Sequence, residues 1–188
     1  MDYSPAEISE LFEEQFEGEE ISANELDRAK IGAGGIGMFQ LPSLDGDVNA
    51  VKELVGIIIH HQLTRAWWPE SNPSGSTPPA CSSVDAKVGT FTHEGEARFK
   101  ASVHKPSGVC KTCPLAEYGT ATGQDGKPRG GQACKQVRQI FFLQQNSLLP
   151  IVLLVPPTSL KPVKSYIQRL LGEATRYWSV VTRFGLEK

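Results

Sequence analysis

The chain has 188 residues, of which 39% are hydrophobic, a formal net charge of −2 and a mean hydropathy of −0.25, enough to bury the core of one globular domain with a small subdomain. Its most apolar run, Leu148 to Pro157, is broken by Pro150, Pro156 and Pro157 and falls far short of the ~20 residues a bilayer-crossing helix requires, so no membrane partner is expected. The small net charge conceals an asymmetry. Residues 1–30 hold ten acidic side chains against Arg28 and Lys30 (−8), while residues 100–169 hold ten basic side chains against Glu117 and Asp125 (+8). A basic body joined to an acidic arm suits a polyanionic ligand.

At the N-terminus, Met1-Asp2-Tyr3-Ser4-Pro5 turns acidic with no positive n-region or apolar h-region, which predicts a cytoplasmic protein. Ser4-Pro5-Ala6-Glu7 forms a capping box with proline at the first helical position. Behind it Ile8, Leu11, Phe12 and Phe16 recur at helical spacing, predicting an acidic amphipathic helix. Residues 1–30 are therefore read as an arm and 31–188 as the body. Gly32 to Gly37, Leu41-Pro42 and Asp45-Gly46-Asp47 then punctuate the chain as turns. From Val51 to Trp68 apolar residues alternate with Gly56, His60 and Gln62, predicting one long strand. A Pro/Ser/Gly-rich loop, 70–83, delivers Cys81. Short strands are expected at Val88–Thr92 and Ala97–Val103, and a turn at Asp125-Gly126 inside the glycine-rich stretch 119–131. Val137–Leu143 and Pro150–Val155 read as a β-hairpin. Leu160 to Leu171 reads as a second helix that tolerates Pro162 in its first turn, and Trp178 to Leu186 as a last strand. The sum is an α+β chain, mostly β, with two short helices: either an α+β domain or a small barrel with insertions.

Cys81, Cys110, Cys113 and Cys134 carry the most chemistry. Their spacing is C-x28-C-x2-C-x20-C. A Cys-x-x-Cys bend presents two sulfurs to one ion, and two distant cysteines complete a tetrahedron with Zn–S bonds of roughly 2.3 Å. A structural zinc is the leading reading and a 4Fe–4S cluster the alternative, since four cysteines are its usual ligands. Disulfides belong to oxidising compartments, and a thioredoxin-like motif needs a strand-to-helix junction that Gly108 and Pro114 do not suggest. A zinc deaminase would need H-x-E and a proline before the first cysteine. Here Glu94 directly follows His93, and Val109 precedes Cys110. Neither a P-loop, a Gly-x-Ser-x-Gly nor a His-Glu-x-x-His occurs, so no enzyme is expected. A closed tetrathiolate also leaves no open position for substrate. His60 and His61 point to opposite faces of the long strand, so they bracket the sheet, though either could stand in for one cysteine.

Single-stranded nucleic acid calls for a cationic track and flat side chains for unstacked bases. Arg65 beside Trp67 and Trp68 offers one such group. Lys105, Lys111, Lys127, Arg129, Lys135 and Arg138 surround the cysteines, with Tyr118 and Phe99 nearby, and Lys161, Lys164 and Arg169 extend the track. For the two tryptophans core packing competes with stacking, and alternation predicts one buried and one exposed.

From Ile31 onward the chain resembles a group of proteins encoded by bacteriophages and other mobile elements. The resemblance rests on Gly34-Gly35, Arg65-Ala66-Trp67-Trp68, Pro79-Ala80-Cys81-Ser82-Ser83-Val84-Asp85, Cys110-Lys111-Thr112-Cys113-Pro114-Leu115, Ala133-Cys134-Lys135, and Leu149-Pro150 through Pro156-Pro157-Thr158-Ser159-Leu160-Lys161. It implies a replication or recombination accessory protein that binds single-stranded DNA in the bacterial host cytoplasm. The implied fold is an OB-like, partly open barrel with a metal-binding loop insertion. Two departures stand out: Ala86 occupies a position where glycine is expected, and the sequence stops at Lys188 inside a predicted strand. The acidic helix is expected to compete with nucleic acid or to recruit a replication or recombination protein. The rival reading is a metal-stapled protein-interaction module or phage regulator acting through that helix.

Overall fold

The computed structural model describes residues 4–31, 37–43, 45–69, 77–102, 108–123, 125–145 and 147–187. They form an α+β protein built mostly of strands, in two compact units. The first comprises residues 1–59, 141–153 and 176–188; the second comprises 60–140 and 154–175.

The first unit opens with α1 (Pro5–Phe16). The capping box is formed as expected: Glu7 N–H donates to the Ser4 hydroxyl while the Glu7 carboxylate accepts from Ser4 N–H at 2.7 Å. These bonds hold the Glu7 carboxyl below its usual range. Three short strands follow, β1 (Arg28–Ile31), β2 (Phe39–Pro42) and β3 (Val48–Val51), joined by antiparallel pairing. β1 also pairs in parallel with β8 (Ile151–Val155). The long strand β4 (Glu53–Trp67) pairs over its first residues with the last strand, β9 (Val181–Gly185), matching Leu54 with Phe184 and Gly56 with Thr182. β7 (Cys134–Gln144) lies between β8 and β4. Phe39, Leu54, Ile58, Phe142 and Val152 are fully buried here, and each such side chain contributes roughly 1.5–3 kcal/mol. Gly56 has no room for a side chain, because an added Cβ would collide with the Leu143 carbonyl.

The second unit takes the other ends of β4 and β7. Gln62 meets Gln139 while Arg65, further along β4, meets Gln136, earlier on β7, so the two strands run antiparallel. β5 (Cys81–Ser83) pairs with the end of β4, Trp67 opposite Cys81, and then with β6 (Thr90–Phe91). Among the described residues the strands pair in the order β3-β2-β1-β8-β7-β4-β5-β6, with β9 on β4. A third helix, α2 (Gly95–Ser102), replaces the strand expected at Ala97–Val103. Lys100 reaches Glu96 at 2.6 Å and Arg98 reaches Glu94 at 4.0 Å, both i,i+4 pairs that favour a helix. Phe99 is the buried ring of this helix, at 3% exposure. α3 (Leu160–Gly172) follows a 3-10 turn at Pro157–Ser159 and forms as expected. Trp178, expected in the last strand, lies instead in a 3-10 turn, Tyr177–Ser179, before β9 begins.

Ala86 adopts φ 58°, a left-handed conformation that a Cβ disfavours and glycine takes freely. The departure noted in the sequence is thus a strained residue in the turn between β5 and Lys87. Ala86→Gly is expected to stabilise the protein by about 0.5–1 kcal/mol, raising Tm by ~1–4 °C in a thermal melt. An unchanged or lower Tm would show that the turn takes another conformation.

Candidate functional site

The four cysteines, all in the second unit, come from three elements. Cys81 begins β5, a strand rather than the expected loop, and Cys134 begins β7. Cys110 and Cys113 flank a tight 3-10 turn, with Cys113 N–H donating to the Cys110 carbonyl at 3.4 Å. That turn is held down where Cys110 N–H donates to Lys87 O at 2.8 Å and Gly89 N–H to Gly108 O at 2.7 Å. Pro114 then starts a second 3-10 turn, Pro114–Ala116.

All four thiols line one small cavity, about 20 Å³, together with Arg65, Trp67, Phe99 and Leu115. That is room for a single water-sized body. Trp67, 4% exposed, and Phe99 meet edge to face at 6.0 Å and form the apolar wall, with Ala80 and Cys134. Gly89 makes space for the Cys81 sulfur, because a Cβ there would stand 2.6 Å from Sγ. Gly95 lies directly against the Ala80 carbonyl and likewise admits no side chain.

The thiols feel one another. Burial, and then Cys134, Cys110 and Cys113, push the Cys81 thiol up to about 12. Burial likewise raises Cys134 to about 11, against the pull of the Arg65 guanidinium beside it. None of the four is in a disulfide. The sulfurs line the cavity wall without converging on one point: among the described residues no three His, Cys, Asp or Glu groups stand in metal-holding geometry. The donor set and the Gly89 cradle suit a thiophilic ion; closing around it requires the thiols to turn inward.

The cysteines bracket a hairpin. Residues 119–123 and 125–131 pair back on one another, with Gly119 N–H donating to Gly131 O at 2.7 Å, Arg129 N–H to Ala121 O at 2.7 Å and Gly123 N–H to Lys127 O at 2.9 Å. Its base is tied to the cysteine turns: Thr120 Oγ1 donates to Glu117 O at 2.7 Å and accepts from Ala133 N–H at 3.0 Å. Tyr118 stands at this base, 82% exposed, its hydroxyl lying over Gly130, where a Cβ would come within 2.7 Å. Gly123 gives similar space to Arg129 and Asp125. The Arg129–Asp125 pair, 3.9 Å apart and exposed, is worth little in water and leaves the cation free to engage another anion.

The cationic candidates divide into two groups. Lys111, Lys127, Arg129 and Lys135 are exposed around the cysteine turns and hairpin, and Lys161 and Lys164 are exposed on α3. Arg65 and Arg138 are instead half-buried and engaged. Arg65 donates to Gln136 Oε1 at 2.7 Å and to Cys134 O at 3.3 Å. Arg138 donates to His61 Nδ1 at 2.8 Å, and burial followed by the Arg138 charge holds the His61 imidazole below its ordinary pKa. The Arg138 Nε is buried without a hydrogen-bond partner among the described residues.

Trp67 packs into the cavity wall and presents no face to a base. Trp68 is half-buried, its indole N–H donating to Thr77 O at 2.9 Å. Lys105 lies outside the described residues. The sequence did not single out Gly89, Gly130 or Gln136; the Gly130-Gly131 pair was the available signal for the tyrosine's seat. Among the described residues no helix is long and apolar enough to cross a membrane. The chain matches no family model, no curated protein and no solved structure.

Proposed function

We propose that the second unit binds single-stranded nucleic acid through the Tyr118 hairpin, and that the cysteine site is its structural staple. The observation that carries this reading is Tyr118 itself, a large aromatic ring left 82% exposed over Gly130, at the base of a hairpin that carries exposed Lys127 and Arg129. A base stacked on such a ring contributes ~1–3 kcal/mol, and cations beside it hold the phosphates. Exposed Lys127 and Arg129 on the hairpin and Lys111 on the cysteine turn would supply that charge; Lys135, Lys161 and Lys164 are further exposed cations of the same unit.

The staple reading is supported by four free thiols around one ion-sized cavity. Its volume suits a single zinc better than a cluster of four irons and four sulfides. Zinc bound there would supply no chemistry, only rigidity at both feet of the hairpin, by Cys113 and Cys134. Single-stranded DNA of phage or mobile-element replication or recombination fits the resemblance noted in the sequence, as does an OB-like arrangement of the strands. The test is a titration of labelled single-stranded and duplex oligonucleotides: tighter binding to the single strand supports the reading, and equal or absent binding refutes it.

A second reading has its own observation in the first unit. A groove of about 300 Å³ combines Phe16, Ile21, Leu26 and Leu149 with Glu19, Glu20, Glu25 and Asp27. Such a mixture suits a basic, partly apolar protein segment and favours the interaction-module alternative for that unit. Nucleic acid retained through purification, seen as a raised 260/280 absorbance ratio, separates the two.

A further inference from the structure

Among the described residues, Arg65 is the one lysine or arginine that lines the cysteine cavity. Its guanidinium lines the cavity beside Cys134 and donates to the Cys134 carbonyl at 3.3 Å, while its other branch donates to Gln136 Oε1 at 2.7 Å. Among the described residues it forms no ion pair with a carboxylate. A half-buried cation without a carboxylate is costly unless an anion balances it. The groups on hand to do so are the cysteine sulfurs, once a bound metal ion has displaced their protons.

We propose that Arg65 is a positioning residue of the metal site, the outer-shell cation that offsets the charge of the thiolates. Four thiolates around one divalent ion leave a net charge of minus two, which is unfavourable beside Trp67 and Phe99 in an apolar wall. The Arg65 guanidinium removes half of it and orients Cys134 through its bond to the Cys134 carbonyl. Gln136 fixes the fork of the guanidinium, so the arrangement is preorganised on the adjacent strands β4 and β7. Outer-shell partners of this type are commonly worth 10–100-fold in metal affinity. The consequence for the nucleic-acid face is direct: Arg65 serves the staple, and the strand is gripped by the exposed cations around Tyr118. This proposal rests on the zinc reading, and its test separates the two.

The experiment is a competition between the full-length protein and a chromophoric zinc chelator, using zinc alone as the probe, for the wild type, Arg65→Gln, Arg65→Lys and Gln136→Leu. Arg65→Gln is expected to lower zinc affinity 10–100-fold. Gln136→Leu, which keeps the charge and loosens the fork, and Arg65→Lys, which keeps the charge without the fork, are expected to fall between. Cobalt substitution gives an independent readout, with the Arg65→Gln thiolate-to-cobalt band shifted from that of the wild type. Should Arg65→Gln misfold, Gln136→Leu still carries the prediction. Wild-type zinc binding with all three variants within twofold of it overturns the role of Arg65 and leaves the staple intact. Absence of stoichiometric zinc binding by the wild type overturns both.

Discussion

Replacing Cys113 or Cys134 by serine is expected to abolish stoichiometric zinc binding and to release the hairpin that the two residues bracket. The cavity around the sulfurs is ion-sized and its walls are apolar, so serine leaves an incomplete donor set rather than a repacked core. Zinc at a thousand times its Kd stabilises the folded state by about 4 kcal/mol, which corresponds to a fall in Tm of ~8–16 °C when it is lost. Binding also has a proton signature. Burial holds the Cys81 and Cys134 thiols up near 12 and 11, hence neutral at pH 7, so zinc must displace protons and its affinity should rise with pH. Elemental analysis, a visible spectrum and thermal melts of the wild type and of both variants check this. One zinc per chain, lost in the variants with the fall in Tm, is the expected result; iron with visible absorbance would replace zinc by a cluster.

Tyr118→Ala is expected to weaken single-stranded binding by about 5–150-fold, the equivalent of one lost base stack at ~1–3 kcal/mol. The fold should be unaffected, because the ring is 82% exposed and buries little. Tyr118→Phe keeps the ring face and should bind nearly as the wild type does. Equal affinity of all three proteins in an anisotropy titration would move the stacking surface elsewhere, Trp68 being the remaining half-exposed candidate in the predicted set.

Some elements were legible because their signals are strong and local. The Ser4–Glu7 capping box, the long alternation of β4 and the apolar pair β7–β8 each carry a period or a cap over many residues. β1, β2 and β3 did not show, since strands of four residues are too short for a period to emerge among glycines and prolines. α2 was misread because its helical signal lies in two charge pairs rather than in an apolar stripe.

The candidate site divides along a similar line. The cysteines announced themselves by spacing, and the charges by counting. What no count could supply was direction: Arg65, Arg138 and Trp67 look like an interface in sequence, yet the antiparallel β4–β7 pairing turns Arg65 and Trp67 to the cysteine cavity and Arg138 to His61. Tyr118 stands out in sequence only as an aromatic near the cysteines, and the fold adds that it is 82% exposed, over Gly130.

The most direct test of the central claim is the salt dependence of single-stranded oligonucleotide binding. A strand held by four to six of the exposed lysines and arginines should release that many counterions, giving a slope of log K against log salt of about −3 to −4. A flat response, or binding that survives high salt unchanged, would contradict it.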